Sequence, residues 1–246
     1  MSKIEYEWEL DLKNTAYYDE YRKKFDDYCA EVLADGVFSD VREKNVGEGY
    51  VLSICHICIE KDGKACISKL SECVLKTADG KEVFRFKAIE RTLSKVIAID
   101  GELYFFYTDN LYGYNVLRLS DMAEYRYFPK ASSSFGEFRE TFIWTDFVYN
   151  EKEHIFAVEG CYWACYYETM LYRIPDVMKP FTEICCPREF LDCDFYDLAN
   201  TEPVKWIDDV LEINCSEAEK DDDELGNVIF RITKQEYTDN MHKVNI

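Results

Sequence analysis

Residues 95–107 decide the fold class, and they read Lys95-Val96-Ile97-Ala98-Ile99-Asp100-Gly101-Glu102-Leu103-Tyr104-Phe105-Phe106-Tyr107. Two short runs rich in β-branched and aromatic residues flank the pair Asp100-Gly101. This pair favours a two-residue hairpin turn, because both central residues of such a turn need a positive φ. We therefore predict an antiparallel hairpin here.

The following turns extend this hairpin into a meander. Asp109-Asn110 precedes the run 112–119, and Ser120-Asp121 precedes the run 124–128. Each run is rich in residues that favour strands, and each turn is rich in residues that favour chain reversal. The sequence thus predicts four antiparallel strands between residues 95 and 128.

The same pattern recurs in three other places, as paired runs that flank short polar turns: 51–60 and 65–70, 142–149 and 154–159, and 205–207 and 210–214. The turns begin at residues 62, 100, 150 and 208, and their separations bracket the length of one propeller blade, about 40 to 50 residues. We expect a mainly β protein of about four or five antiparallel meander units in a propeller-like arrangement. A large β-sandwich or barrel is the alternative.

A helix is expected near the N-terminus, where apolar residues recur at spacings of three and four: Tyr18, Tyr21, Phe25, Tyr28, Cys29, Val32 and Leu33. Asn14 or Thr15 is suited to cap its start, and Gly36 is suited to follow its end. We predict the helix at about 15–34 and treat 1–246 as a single β domain that carries it.

The charge of the chain restricts its partners. The 246 residues include 29 Lys plus Arg and 49 Asp plus Glu, for a formal net charge of −20. Such a charge repels nucleic acids and anionic membrane surfaces, so we expect no direct nucleic-acid partner, no membrane contact, and a basic protein as partner. The N-terminal residues lack the features of a secretory signal, which leads us to expect a cytoplasmic location.

The eleven cysteines are expected to be reduced, mostly buried thiols. Cys55 and Cys58 form a Cys-x-x-Cys, but a strand would point them to opposite faces, and the chain has no second such pair. We therefore predict no metal site and no cofactor. His56 is interpreted as a strand residue with a local hydrogen bond, and His154 as an exposed residue after a turn.

Two segments carry a resemblance to known proteins: Trp144-Thr145-Asp146 and Ala157-Val158-Glu159-Gly160-Cys161-Tyr162-Trp163-Ala164-Cys165. They resemble a segment found in uncharacterised bacterial β-propeller-like proteins. The resemblance implies a propeller-like architecture. It brings no catalytic residues with it.

The same region supplies the candidate binding residues. The window 161–167 holds more aromatic residues than one strand face is expected to bury, so we expect some of the rings to be exposed. The candidates are Trp144, Tyr162, Trp163 and Tyr166. The alternative is that both faces of the strand pack between sheets.

Two functions remain open at this stage. We expect a non-catalytic binding or interaction module, for example an inhibitor or immunity-type protein for a basic partner, because surplus aromatic residues supply contact area and acids steer basic proteins. The alternative is a glycoside hydrolase, or another enzyme for a small polar substrate, that uses Asp146 and Glu159. Glycosidase chemistry needs two carboxyl groups about 5 to 9 Å apart.

Overall fold

The computed structural model describes residues 13–59, 68–128, 142–162, 167–181, 183–187, 198–200, 204–217 and 227–241. The chain divides into two compact units, Met1–Thr141 and Phe142–Ile246, which are described separately below. The expectation of a single domain over 1–246 stays a prediction.

Unit 1 contains, in its described residues, one helix and two four-stranded antiparallel meanders. The helix is α1 (Ala16–Asp35). The first sheet contains β1 (Val37–Gly47), β2 (Tyr50–Cys58), β3 (Ser68–Thr77) and β4 (Glu82–Ala88), and the second contains β5 (Ser94–Ile99), β6 (Glu102–Tyr107), β7 (Tyr114–Arg118) and β8 (Ala123–Tyr127). Strands pair in chain order in both sheets, so the meander predicted over residues 95–128 is confirmed.

The hairpin of β5 and β6 turns where the sequence predicts it. Asp100 and Gly101 have φ values of 51° and 82°, and Ile99 pairs with Glu102 on the other side of the turn. A positive φ costs a glycine little, and Asp tolerates it better than most residues. The turn therefore sets the register between β5 and β6.

The main core of unit 1 lies between its two sheets. Leu52, Ile54, Leu75 and other buried side chains of the first sheet pack against Phe105 and Tyr107 of the second. The rings of Phe86 and Tyr107 meet with centroids 4.4 Å apart. Alternate residues of β2, β3, β4 and β6 enter this core, as a period of two requires.

Helix α1 covers the other face of the first sheet. The Thr15 hydroxyl accepts a hydrogen bond from the Tyr18 main-chain N–H at 3.3 Å and caps the helix start. One stripe of the helix is buried with Ile57, Leu70 and Phe128: Tyr21, Phe25, Cys29 and Val32. The predicted helix at about 15–34 is confirmed.

Unit 2 contains, in its described residues, two further four-stranded antiparallel sheets and a short helix. The third sheet contains β9 (Ile143–Asn150), β10 (Ile155–Cys161), β11 (Glu168–Arg173) and β12 (Glu183–Cys185), and the fourth contains β13 (Leu198–Asn200), β14 (Lys205–Ile207), β15 (Val210–Glu217) and β16 (Asn227–Ile232), followed by α2 (Lys234–Met241). Strands β9 to β12 pair in chain order, whereas β15 pairs with β13, β14 and β16.

The core of unit 2 includes side chains from both of its sheets. Ala157 and Leu171 of the third sheet belong to one buried cluster with Leu211 and Ile232 of the fourth, and Tyr237 of α2 completes it. The indole Nε1 of Trp206 donates a hydrogen bond to the Val148 main-chain oxygen at 3.4 Å. These contacts stack the third sheet on the fourth.

The prediction of a mainly β protein with antiparallel sheets and an N-terminal helix is confirmed. The described residues form neither a closed barrel nor a closed propeller, so the propeller-like arrangement is not confirmed. Neither described helix combines the length and the apolar composition that a bilayer crossing requires.

Candidate functional site

Asp146 and Glu159, the predicted carboxylate pair, lie directly opposite each other on β9 and β10. Directly opposed residues of an antiparallel pair share one face of the sheet. This is also the face of Ala157, which packs in the core of unit 2. The structure therefore brings the two acids together at the edge of that core, where Glu159 is only 9% exposed.

Both carboxylates act as hydrogen-bond acceptors for the main chain. Glu159 Oε1 accepts from the Val204 N–H at 3.2 Å, and Asp146 Oδ1 accepts from the Phe147 N–H at 2.8 Å. The Glu159 contact fastens the segment before β14 to β10, which is a structural role.

Trp144 lies on the opposite face of the third sheet. The register shifts by one residue at Thr145, so Trp144 pairs with Gly160 while Asp146 pairs with Glu159. The Trp144 ring stacks on Phe181 at 5.9 Å between centroids and is only 4% exposed. Trp144 therefore does not form the exposed aromatic platform expected beside the two acids, because its ring is buried in the core.

Tyr162 follows the end of β10 and is half-buried. Its ring meets Phe142 edge to face at 5.5 Å. Nearby, Tyr167 is 48% exposed, so one ring of the aromatic window does reach the surface. The other two candidates, Trp163 and Tyr166, lie outside the described residues.

The described cysteines are all free thiols, four of them buried: Cys29, Cys73, Cys185 and Cys215. Burial raises the pKa of the Cys73 thiol to about 11. Cys55 and Cys58 are three residues apart on one strand and both partly exposed. Within the described ranges, no three His, Cys, Asp or Glu side chains are grouped closely enough to hold a metal ion.

The two described histidines make local hydrogen bonds. His56 Nδ1 lies 3.0 Å from the Ser71 hydroxyl, which confirms the interpretation of His56 as a strand residue with a local partner. His154 is exposed after the β9–β10 turn, and its Nδ1 lies 2.8 Å from the Tyr149 hydroxyl. The third histidine, His242, lies outside the described residues.

The outward face of α1 carries a row of acids. Asp27, Glu31 and Asp35 follow each other at intervals of four, so they line one side of the helix, and all three are exposed. Among the residues that the structure describes, none of the three forms an ion pair with a basic side chain. We call these three residues the acidic ridge.

Tyr28 and Glu90 border the acidic ridge. Partial burial raises the pKa of Tyr28, and the neighbouring groups, Cys29, Glu31 and Glu90, raise it further. Glu90 is exposed and lies in the connection between β4 and β5. The negative surface therefore continues from α1 onto this connection, with a half-buried tyrosine beside it.

An ionic contact fixes the orientation of α1. Arg22 Nη1 donates to Asp109 Oδ2 at 2.8 Å, and Arg126 Nη1 donates to the same oxygen at 3.1 Å. Arg126 Nη2 also donates to Glu124 Oε1 at 3.0 Å. Because both guanidinium groups are held by carboxylates, we interpret the small cleft beside them as part of the helix packing.

The order of charged residues along α1 indicates the acidic ridge, although the spacing of the apolar residues alone does not. After Lys24, the helix has four acids and no Lys or Arg. The same periodicity that identifies the buried stripe places Asp27, Glu31 and Asp35 outside it. The contact of Arg22 with Asp109 has no such signal, because it joins residues 87 positions apart.

Comparisons with known proteins bring no relative: no family model, no curated protein and no solved structure matches this chain.

Proposed function

We propose that this protein is a non-catalytic interaction module that binds a basic protein, with the acidic ridge of α1 as the contact surface. The observation that carries the proposal is the row of exposed acids Asp27, Glu31 and Asp35, none paired with a base among the described residues. The net charge of −20 supports it, because long-range attraction speeds the encounter with a basic partner.

The charge pattern of α1 is unfavourable for the isolated helix. Like charges four residues apart repel each other, by about 0.2 to 0.5 kcal/mol per pair. Acids near a helix C-terminus also oppose the helix dipole, and the last turn of α1 has no basic residue. Basic side chains of a partner would relieve both effects, so the pattern is better explained by binding than by stability.

The packing of α1 makes the acidic ridge available to a partner. Tyr21, Phe25, Cys29 and Val32 hold the opposite stripe of the helix in the core. A helix fixed in this way presents its charges in a constant geometry, which lowers the entropy cost of binding. The half-buried Tyr28 beside the ridge adds an aromatic side chain of the type that is enriched at interfaces.

An inhibitor or immunity-type protein that neutralises a basic toxin or nuclease is one concrete form of this proposal. A cytoplasmic location belongs to the same proposal and is supported by the free thiols of the described cysteines. The propeller-like arrangement also stays a proposal, supported by three four-stranded meanders and a fourth four-stranded antiparallel sheet.

The test is affinity capture from the native host with three baits at low and at high salt. The baits are the wild-type protein, the ridge variant Asp27→Asn/Glu31→Gln/Asp35→Asn, and a control variant Glu48→Gln/Asp100→Asn/Glu151→Gln. The control removes three exposed acids from turns, so it matches the ridge variant in net charge.

We expect the wild type and the control to capture the same basic protein at low salt only, because salt screens exposed charges. The ridge variant is expected to capture much less of it. Equal capture by both variants would place the contact elsewhere. No basic partner, together with turnover of a glycoside panel that Glu159→Gln abolishes, would overturn the proposal in favour of the hydrolase alternative.

A further inference from the structure

Four polar residues come from successive strands of the first sheet and from the connection that follows it. Arg42 comes from β1, His56 from β2, Ser71 from β3, and Arg91 from the connection that follows β4. His56 lies on the face of the first sheet opposite to that of Ile57, which packs against α1, and the proposed contact with a basic protein does not use the four residues. We call them the arginine–histidine cluster.

The strand register places three of these side chains on one face. His56 lies opposite Ser71, and its Nδ1 is 3.0 Å from the Ser71 hydroxyl. Arg42 pairs with Ile54, two residues before His56, so it is a diagonal neighbour of the imidazole on the same face. Ser71 in turn pairs with Ala88.

A bulge lies beside the imidazole on β1. The pairing of β1 with β2 shifts between Phe38 and Val41, opposite His56. Bulges locally turn a strand and re-aim its side chains, and they are frequent next to functional sites. The regular pairing resumes at Val41, so Arg42 lies directly after the bulge.

The cluster is positively charged in a strongly acidic protein. Partial burial lowers the pKa of His56, and the positive charges of Arg91 and Arg42 lower it further. In the described part of the chain, neither arginine forms an ion pair with a carboxylate. This is unusual in a chain with 49 acids and 29 basic residues.

Arg91 also has a buried donor that nothing described satisfies. Its Nε is buried and has no hydrogen-bond partner among the described residues. A buried donor without an acceptor is costly, and such groups in native proteins call for an explanation. An anion bound between Arg91, Arg42 and His56 would supply the acceptor.

We propose that the arginine–histidine cluster binds the phosphate group of a phosphate monoester. Two guanidinium groups carry two positive charges, which a phosphate dianion balances and a carboxylate does not. Arginine forms paired hydrogen bonds with phosphate oxygens. The His56 imidazole and the Ser71 hydroxyl share one hydrogen bond, so one of the two groups can supply a further donor. The site takes one phosphate group, since the rest of the chain repels a polyanion.

The test follows the imidazole signals by NMR, because the chain has only three histidines and each can be assigned by substitution. Inorganic phosphate, glycerol 3-phosphate and acetate are titrated at constant ionic strength and at a pH above the second phosphate pKa of about 6. We expect a saturable shift of His56 with the two phosphate compounds, and no change at His154.

Variants make the test specific. Arg91→Gln and Arg42→Gln are each expected to weaken phosphate binding about tenfold or more, as the loss of a charge-assisted hydrogen bond predicts. Arg85→Gln is the matched control, because Arg85 is an exposed arginine of the same sheet held by two hydrogen bonds to Glu82. It is expected to leave phosphate binding unchanged. Arg42 is exposed, so its substitution keeps the fold even if that of Arg91 does not.

Three results would overturn the proposal. The first is a His56 signal that does not saturate with either phosphate compound. The second is equal weakening by Arg85→Gln and Arg42→Gln, which would mean that only the net charge matters. The third is equal binding of acetate, which would remove the preference for a dianion. Binding of inorganic phosphate without glycerol 3-phosphate would reject the monoester and leave a free-anion site.

Discussion

Arg22 of α1 binds Asp109, which lies in the connection between β6 and β7, with Nη1 and Oδ2 2.8 Å apart. The two residues are 87 positions apart in sequence. The Asp109 side chain is 14% exposed, and Arg126 donates to the same oxygen. One carboxylate thus joins the helix to the second sheet of unit 1. This contact helps to hold the helix with the acidic ridge outward.

Asp109→Asn is expected to loosen α1. The change removes the charge that compensates two half-buried arginines, so we expect a loss of about 2 kcal/mol in the free energy of unfolding and faster hydrogen exchange of the α1 amides. Urea unfolding and exchange measurements check this. The control is Glu82→Gln, which breaks an exposed pair with Arg85 and should cost much less. Equal losses in the two variants would contradict the role of Asp109.

Gly160 is expected to be less replaceable than Gly101. A Cβ at Gly160 would lie 2.0 Å from the Ile143 main-chain oxygen, so Gly160→Ala must separate β9 from β10 and should cost about 3 kcal/mol or more. A Cβ at Gly101 meets no atom within 4 Å, and its φ of 82° alone should cost about 1 to 2 kcal/mol. Denaturant unfolding of the two variants measures which substitution costs more stability. A larger loss for Gly101→Ala than for Gly160→Ala would contradict the close approach of β9 and β10.

Glu212 should contribute to stability at neutral pH and not in strong acid. Lys205, 2.8 Å away, lowers its pKa by hydrogen bonding, and Arg231 lowers it further. A carboxyl whose folded pKa is below its ordinary value of 4.5 stabilises the fold above that pH. The contribution is lost as the pH falls through the folded pKa.

Thermal unfolding of the wild type and Glu212→Gln at several pH values tests this dependence. The wild type should be the more stable protein at neutral pH, and the difference should vanish in strong acid. A stability difference that is constant with pH would mean that the charge of Glu212 does not contribute to the stability.

The described thiols should react in two classes. Four are partly exposed and should react first in the native protein: Cys55, Cys58, Cys161 and Cys186. The four buried thiols should react slowly, because burial limits access and raises the pKa of Cys73 and Cys29. Mass spectrometry of the alkylated protein measures each site, with a denatured sample as control. Early labelling of Cys73, or stoichiometric zinc on Cys55 and Cys58, would contradict this account.

The sequence predicts the elements whose signals are local. Asp100-Gly101 is flanked by unbroken strand-forming runs, and the buried stripe of α1 has a clear helical period. Strand β1 is not predicted from the sequence, because its second half, Arg42 to Asn45, is polar and exposed along the edge of a sheet. Helix α2 is not predicted either, because it is short and polar. Its position depends on Tyr237, which is buried in the core, and on Glu236, which accepts a hydrogen bond from the Thr233 N–H.

The candidate site is less predictable than the fold, because one extra residue, Thr145, changes which face of β9 the neighbouring side chains occupy. A period of two places Trp144 and Asp146 on the same face, and this is what a sugar-binding platform beside the acids requires. The extra residue Thr145 in the pairing with β10 puts them on opposite faces. Contacts between distant segments, such as Arg22 with Asp109, likewise leave no periodic trace in the sequence.

The central claim is that the acidic ridge contacts a basic partner, and zero-length carbodiimide cross-linking of the captured complex tests it most directly. This reagent joins carboxylates to lysines that touch them. The account predicts that Asp27, Glu31 and Asp35 of α1 supply the main cross-links to partner lysines, and that high salt abolishes them. Cross-links that persist in the variant Asp27→Asn/Glu31→Gln/Asp35→Asn and map only to other acids would contradict it.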